Sequence, residues 1–122
     1  MQGSHFDKIA KALRRIHGEY NNLLDVTSLA REAGMSVPAF HAHFKSITKN
    51  SPLQYIKNIR LHQARLMMIR NGITAAAASI EVGYESTSQF SREFKRMFGR
   101  TPIEEVMQMK SVLALQPAEK VA

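Results

Sequence analysis

Apolar residues recur along this chain at three- and four-residue steps, and no stretch makes a convincing strand, so the pattern predicts helices almost everywhere. Phe6, Ile9, Leu13 and Ile16 form the buried stripe of a first amphipathic helix, with Gly18 as its expected stop. Asp25 is placed to cap a short second helix, Val26 to Ala33, whose apolar face is Leu29, Ala30 and Ala33 and which gives way at Gly34. Ser36 caps a third helix that runs to about Lys49, with Pro38 in its first turn, where a backbone N–H has no helical partner. Ser51-Pro52 restarts the pattern, which continues to Arg70 before Asn71-Gly72 ends it; those residues would span about 28 Å at ~1.5 Å each. Thr74 begins an alanine-rich fifth helix to Val82, Ser86 caps a sixth from Thr87 to Phe98, and Thr101-Pro102 opens a seventh ending near Lys110. Residues 111–122 are expected to fray, and residues 1–5 read as an expression scar.

The helices are not all different. Phe40, Phe44, Lys45 and Pro52 recur fifty positions later as Phe90, Phe94, Lys95 and Pro102. Gly34-Met35-Ser36 opens the first copy, and Gly83-Tyr84-Glu85-Ser86, one residue longer, opens the second. Two short helices joined by a glycine-containing turn make a helix-turn-helix, in which the second helix enters the major groove of DNA and the first braces it. The expected class is therefore all-α, with about seven helices: a first helix-turn-helix subdomain over 6–50, a linker helix over 51–71 and a second subdomain over 72–110. Turning Phe40 and Phe44 inward puts Pro38, His41, Ala42 and Lys45 on the opposite side of their helix at ~100° per residue. In the sixth helix the same argument turns Thr87, Ser88, Arg92 and Lys95 outward, with Gln89 near the edge of that face.

Charge sharpens this picture. The 122 residues carry 17 Lys+Arg against 10 Asp+Glu, a formal net charge of +7, and 44% are hydrophobic, enough for a modest core. Residues 40–100 hold all of that excess, with ten basic residues and only Glu81, Glu85 and Glu93 acidic. A basic excess confined to the repeats fits a polyanion, because phosphate neutralisation and counterion release supply most non-specific affinity. There is no cysteine, which excludes disulfides and thiolate metal sites and suits a reducing cytoplasm. No apolar run approaches the ~18 residues of a membrane span.

Over residues 6–108 the sequence resembles the DNA-binding domain of AraC/XylS-type bacterial transcription regulators. The resemblance rests on Leu29-Ala30-Arg31-Glu32-Ala33-Gly34-Met35-Ser36, on Phe44-Lys45, and on Ser51-Pro52-Leu53-Gln54-Tyr55-Ile56 with Arg60-Leu61 and Ala64-Arg65. It is strongest in Val82-Gly83-Tyr84-Glu85-Ser86, Ser88-Gln89-Phe90-Ser91-Arg92-Glu93-Phe94-Lys95 and Phe98-Gly99, on to Pro102. It implies two helix-turn-helix units bridged by the long helix, reading successive major-groove segments of double-stranded DNA. The family's base-reading positions fall on Pro38, His41 and Ala42 in the first unit and on Thr87, Ser88 and Arg92 in the second. Many relatives have arginine where Ala42 stands, and an aromatic followed by arginine where this chain has Ile103-Glu104-Glu105-Val106. Family members usually carry a sensing or dimerising domain on the N-terminal side, while a minority are stand-alone regulators of about this size; with the apparent scar before Phe6 the expectation is a fragment of a cytoplasmic regulator, with RNA polymerase a second candidate partner.

The candidate base readers are thus Pro38, His41, Ala42, Thr87, Ser88, Gln89 and Arg92. The candidate phosphate contacts are Ser36, Lys45, Lys49, Ser86, Lys95, Arg96 and Arg100. His41 and His43 point away from each other on their helix and are not read as a metal pair. Glu104-Glu105 is a charge pair that the helix dipole explains, and Met67, Met68, Met97, Met107 and Met109 read as core filler. No nucleophile elbow or phosphate-cradling loop occurs, so neither an enzyme nor a cofactor is expected. The alternative reading is a protein-interaction module whose repeats bind an acidic partner.

Overall fold

Capping residues set the ends of the helices in the computed structural model, which describes residues 4–115. The elements are α1 (His5–Glu19), α2 (Val26–Glu32), α3 (Val37–Thr48), α4 (Pro52–Asn71), α5 (Ala75–Glu81), α6 (Thr87–Phe98) and α7 (Pro102–Ala114). All are α-helices, as the periodicity requires, and the described residues contain no strand. Asp25, Ser36, Thr74, Ser86 and Thr101 each accept a backbone N–H in the first turn of the helix they precede. Ser51 does the same for α4, accepting from Gln54 N–H at 3.2 Å.

The ends differ from expectation in three places. α1 opens at His5, ahead of the expected Phe6: Ser4 and Asp7 form a capping box, and the His5 ring lies 3.8 Å from that of His43. Gly18 does not stop α1, because one glycine costs only ~1 kcal/mol in a helix that packing holds. α7 continues past Lys110 to Ala114, and the remainder of the expected frayed tail, 116–122, lies outside the described residues. The buried stripe of α1 is Ile9, Ala12 and Ile16, while Phe6 is exposed.

The chain divides into two compact units, one ending at Arg60 and the other beginning at Leu61. α4 crosses that boundary, so the expected linker segment is shared between the units. In the first unit α1 and α2 pack against α3, and Ile9, Ile16, Leu29, Phe40, Phe44 and Ile56 are closed to solvent. In the second, α6 packs against α5 and α7, and Leu61, Ala64, Met68, Ala78, Val82, Phe90 and Phe94 are buried. Of the expected methionine filler only Met68 is fully inside; Met107 is 65% exposed.

The repeated phenylalanines adopt one geometry twice. The Phe40 and Phe44 rings lie 5.5 Å apart at 50°, and those of Phe90 and Phe94 lie 5.7 Å apart at 50°, all four with no exposed surface. Their helices also end alike, in a residue of left-handed conformation whose N–H bonds back to Lys45 or Lys95. That residue is Gly99 (φ 80°) in the second copy but Lys49 (φ 69°) in the first. A side chain there suffers the steric cost of the left-handed region, about 1 kcal/mol, which glycine avoids. We therefore expect Gly99→Ala to lose about 1 kcal/mol in urea unfolding, although its Cβ would meet nothing within 4 Å, and Lys49→Gly to gain up to about that much. Equal and small effects from both would show that backbone conformation is not what limits these turns.

Candidate nucleic-acid interface

Burying one face of α3 and one of α6 leaves the opposite faces in water. On α3 the structure exposes Pro38, His41, Ala42 and Lys45 together. On α6 it exposes Ser88, Gln89, Arg92, Lys95 and Arg96. Spacing explains both sets, since side chains three and four apart share a helix face. Ser36 and Ser86 sit at the N-terminal ends of these faces, accepting from Ala39 N–H at 3.3 Å and Gln89 N–H at 3.1 Å. Each hydroxyl keeps its hydrogen to donate, next to the partial positive charge of a helix N-terminus.

Thr87 is exposed, as expected, but its hydroxyl is engaged. It stands three residues before Phe90, hence toward the same side, and its hydroxyl lies 3.3 Å from that of the buried Ser79 on α5. Ser79 already gives its hydrogen to the Ala76 carbonyl at 2.8 Å, so Thr87 is the donor of the pair. The hydroxyl therefore ties α6 to α5, although the residue itself is exposed.

The cations also divide. Lys45, Lys95 and Arg96 are exposed on the outward faces, whereas Lys49 turns its ammonium to the Ser46 carbonyl at 3.2 Å. Arg100, expected among the phosphate contacts, donates instead to Glu105 at 2.9 Å. Arg65 donates to the other oxygen of the same carboxylate at 2.5 Å, and its guanidinium lies over the Phe98 ring, 5.6 Å from the centroid. Glu105 is buried, with 3% of its surface exposed. Burial alone would raise its pKa, but the hydrogen bonds and charges of Arg65 and Arg100 outweigh that and hold its carboxyl below the usual range.

Sequence reasoning missed this hub, reading Glu104-Glu105 as a charge pair that the helix dipole explains. Only Glu104 fits that description: its exposed carboxylate takes the Thr101 N–H at 2.9 Å and closes a capping box. The repeat held the missing signal. Fifty positions before Glu105 stands Tyr55, half-buried against Phe44 with its hydroxyl 2.7 Å from His17 Nε2, so position 105 faces a core rather than solvent.

A family model described as a helix-turn-helix domain matches residues 29–106, from within α2 to within α7. The chain belongs to the AraC-type helix-turn-helix family. It is 33% identical over 95 residues to the HTH-type transcriptional regulator AlkR of Acinetobacter baylyi, covering 78% of this chain but 31% of that protein. The chain spans about a third of the length of that regulator and of the Msm operon regulatory protein of Streptococcus mutans, and 6% of Histidine kinase P4 of Formosa agariphila. Among solved structures, the DNA-binding domain of AdpA, in complex with a target DNA, superposes with a TM-score of 0.80 at 22% identity, covering 89% of this chain and 98% of that one. An AraC-type regulator from Chromobacterium violaceum gives 0.77 at 24% identity, with 84% and 91% covered. These likenesses establish the fold.

Replacing Glu105 tests the hub. Removing one member of a buried charge cluster is costly, but Arg65 and Arg100 are partly hydrated, so Glu105→Gln should lose about 1–3 kcal/mol of stability at neutral pH. Because the folded carboxyl titrates below its unfolded value, its contribution is present above about pH 4.3 and fades as pH falls through the lower folded value. The gap between wild type and variant in urea unfolding should therefore close on acidification. A gap of constant size down to pH 3 would show that the charge of Glu105 is not what holds α7.

Proposed function

We propose that this chain is a sequence-specific, double-stranded DNA-binding domain of a bacterial transcription regulator, in which α3 and α6 each read a major-groove segment. The observation that carries the reading is the duplicated helix-turn-helix, whose second helix in each copy presents a polar or basic face opposite a buried phenylalanine pair. A major groove about 12 Å wide admits one α-helix, and the side chains of its outward face then reach base edges. Ser36, Ser86, Lys45, Lys95 and Arg96 lie where phosphate contacts would fix the docking, and His41, Ser88, Gln89 and Arg92 where base edges would be met. The remainder of the native protein, with a sensing or dimerising domain N-terminal to this one, belongs to the same proposal.

The two readers are unequal. Arg92 stands one turn after Ser88 and can make a bidentate contact to guanine O6 and N7. Its counterpart Ala42 can offer only a methyl group, suited to the methyl of thymine. Arg92→Ala should weaken the selected site by about 1–3 kcal/mol, relax the preference at one base pair and leave random duplex almost unaffected. Lys95→Ala should weaken every duplex alike and lower the salt slope by about one unit. Titrations of both variants against selected and random duplex at several salt concentrations decide the matter. An equal loss on both duplexes for Arg92→Ala moves that residue to the phosphate class, and saturable binding of an acidic protein that duplex cannot displace favours the interaction-module reading.

A further inference from the structure

Glu93 flanks the exposed face of α6, half-buried beside Gln89, and is one of only three acids in the basic segment 40–100. Its two oxygens are both engaged. Tyr84 donates its phenol hydrogen to Oε1 at 2.7 Å, and Gln89 donates from Nε2 to Oε2 at 2.9 Å. Tyr84 is itself fixed: it is 8% exposed, and its ring meets that of Phe90 edge-on at 5.3 Å. A chain of constraints therefore runs from the buried Phe90 through Tyr84 and Glu93 to Gln89 on the exposed face of α6.

Resting on the DNA-binding reading above, we infer that Tyr84 and Glu93 are positioning residues that lock the side-chain amide of Gln89, so that α6 accepts adenine and refuses guanine at the base pair Gln89 meets. The lock follows from donor chemistry. A carboxylate can only accept, so the amide group facing it must be the NH2, and the amide oxygen is left as the group that a base meets. A free glutamine has no such restriction, since its amide can turn over and offer either end. With Nε2 anchored by one hydrogen, Oε1 can accept from adenine N6 while the second Nε2 hydrogen goes to N7. Guanine presents O6 and N7, both acceptors, and thymine presents O4, so the locked oxygen would face oxygen. Cytosine offers one amino group without the neighbouring acceptor, half of the adenine contact. Glu93 thus works against the wrong base as much as for the right one, through the unpaired groups it forces on a mismatch.

A purely structural role predicts something else: Glu93 would complete the phenol hydrogen bond, and the Gln89–Glu93 pair would be an ordinary helix contact four residues apart. The two are separated by base preference, which a structural role does not move. Sites are selected from random duplex with the intact chain, and affinities are then measured for duplexes that differ at single base pairs. Wild type is expected to prefer adenine over guanine by about tenfold at one position, the effect of a good bidentate contact. Gln89→Ala should abolish that preference and no other. Glu93→Gln, whose amide can donate as well as accept, should let Gln89 turn over and reduce the preference below about threefold, mainly by tightening guanine and thymine duplexes, with random-duplex affinity unchanged. Tyr84→Phe should act in the same direction more weakly, and Gln89→Ala combined with Glu93→Gln should add nothing to Gln89→Ala alone. Because Gln89 is exposed, its variant stays folded and keeps the test open if the others lose helical circular dichroism. Full preference in Glu93→Gln, or unchanged preference at every base pair in Gln89→Ala, overturns the inference while leaving DNA binding intact. A wild-type chain that distinguishes no duplex from random sequence overturns the DNA-binding reading, and the inference with it.

Discussion

Two pairs of phenylalanines fix the rotation of α3 and α6, and everything said about the outward faces depends on that rotation. Each ring is completely removed from solvent, and such burial is worth roughly 1.5–3 kcal/mol per side chain. Rolling either helix by one residue would bring two rings into water together, a cost on the scale of the whole stability of a small domain. The near-identical ring geometry in the two copies shows the same solution reached twice. A helix locked on its inner side has no freedom in what it shows outside, and this is the condition a groove-reading surface must meet.

The copies solve the next layer differently. In the first, Phe44 is covered by Tyr55, whose hydroxyl meets His17 and whose phenol pKa is raised by burial. In the second, the corresponding position is Glu105, a buried carboxylate on which Arg65 and Arg100 converge, while Phe94 is met by the Phe98 ring at 4.5 Å. An aromatic lid asks little of its neighbours, whereas a buried carboxylate is tolerable only with its cations in place. The second unit therefore commits two basic residues to its own architecture, and the positive charge available to a polyanion is smaller than the sequence total.

Helix positions, caps and the inward faces of α3 and α6 were legible in the sequence, because they follow from local rules: Ser or Thr before Pro, Phe at one-turn spacing, glycine where a helix turns back. The turn-by-turn pattern could not say which way a hydroxyl points at the first position of a helix, and Thr87 turned to Ser79. Nor could it distinguish two adjacent glutamates that differ only in tertiary surroundings, since Glu104 caps and Glu105 is buried. The bond from Arg100 to Glu105 escaped for the same reason, being set by how α7 packs. Gln89 stood at the edge of the outward face by spacing, but the chain that restrains it passes through Tyr84, outside the helix. Apart from the ends of α1 and α7, what escaped the sequence was a side-chain partner.

The central claim is that the faces opposite the phenylalanine pairs are the surfaces that meet duplex DNA. Titrating the isotopically labelled chain with its selected duplex and following backbone amide resonances tests this most directly. The account predicts perturbations concentrated at His41, Ala42 and Lys45 on α3 and at Ser88, Gln89, Arg92 and Lys95 on α6, with the amides of Lys11 and Arg14 on α1 and of Met107 on α7 nearly unmoved. Saturating shifts on α1 or α7 with the α3 and α6 faces unchanged would contradict it.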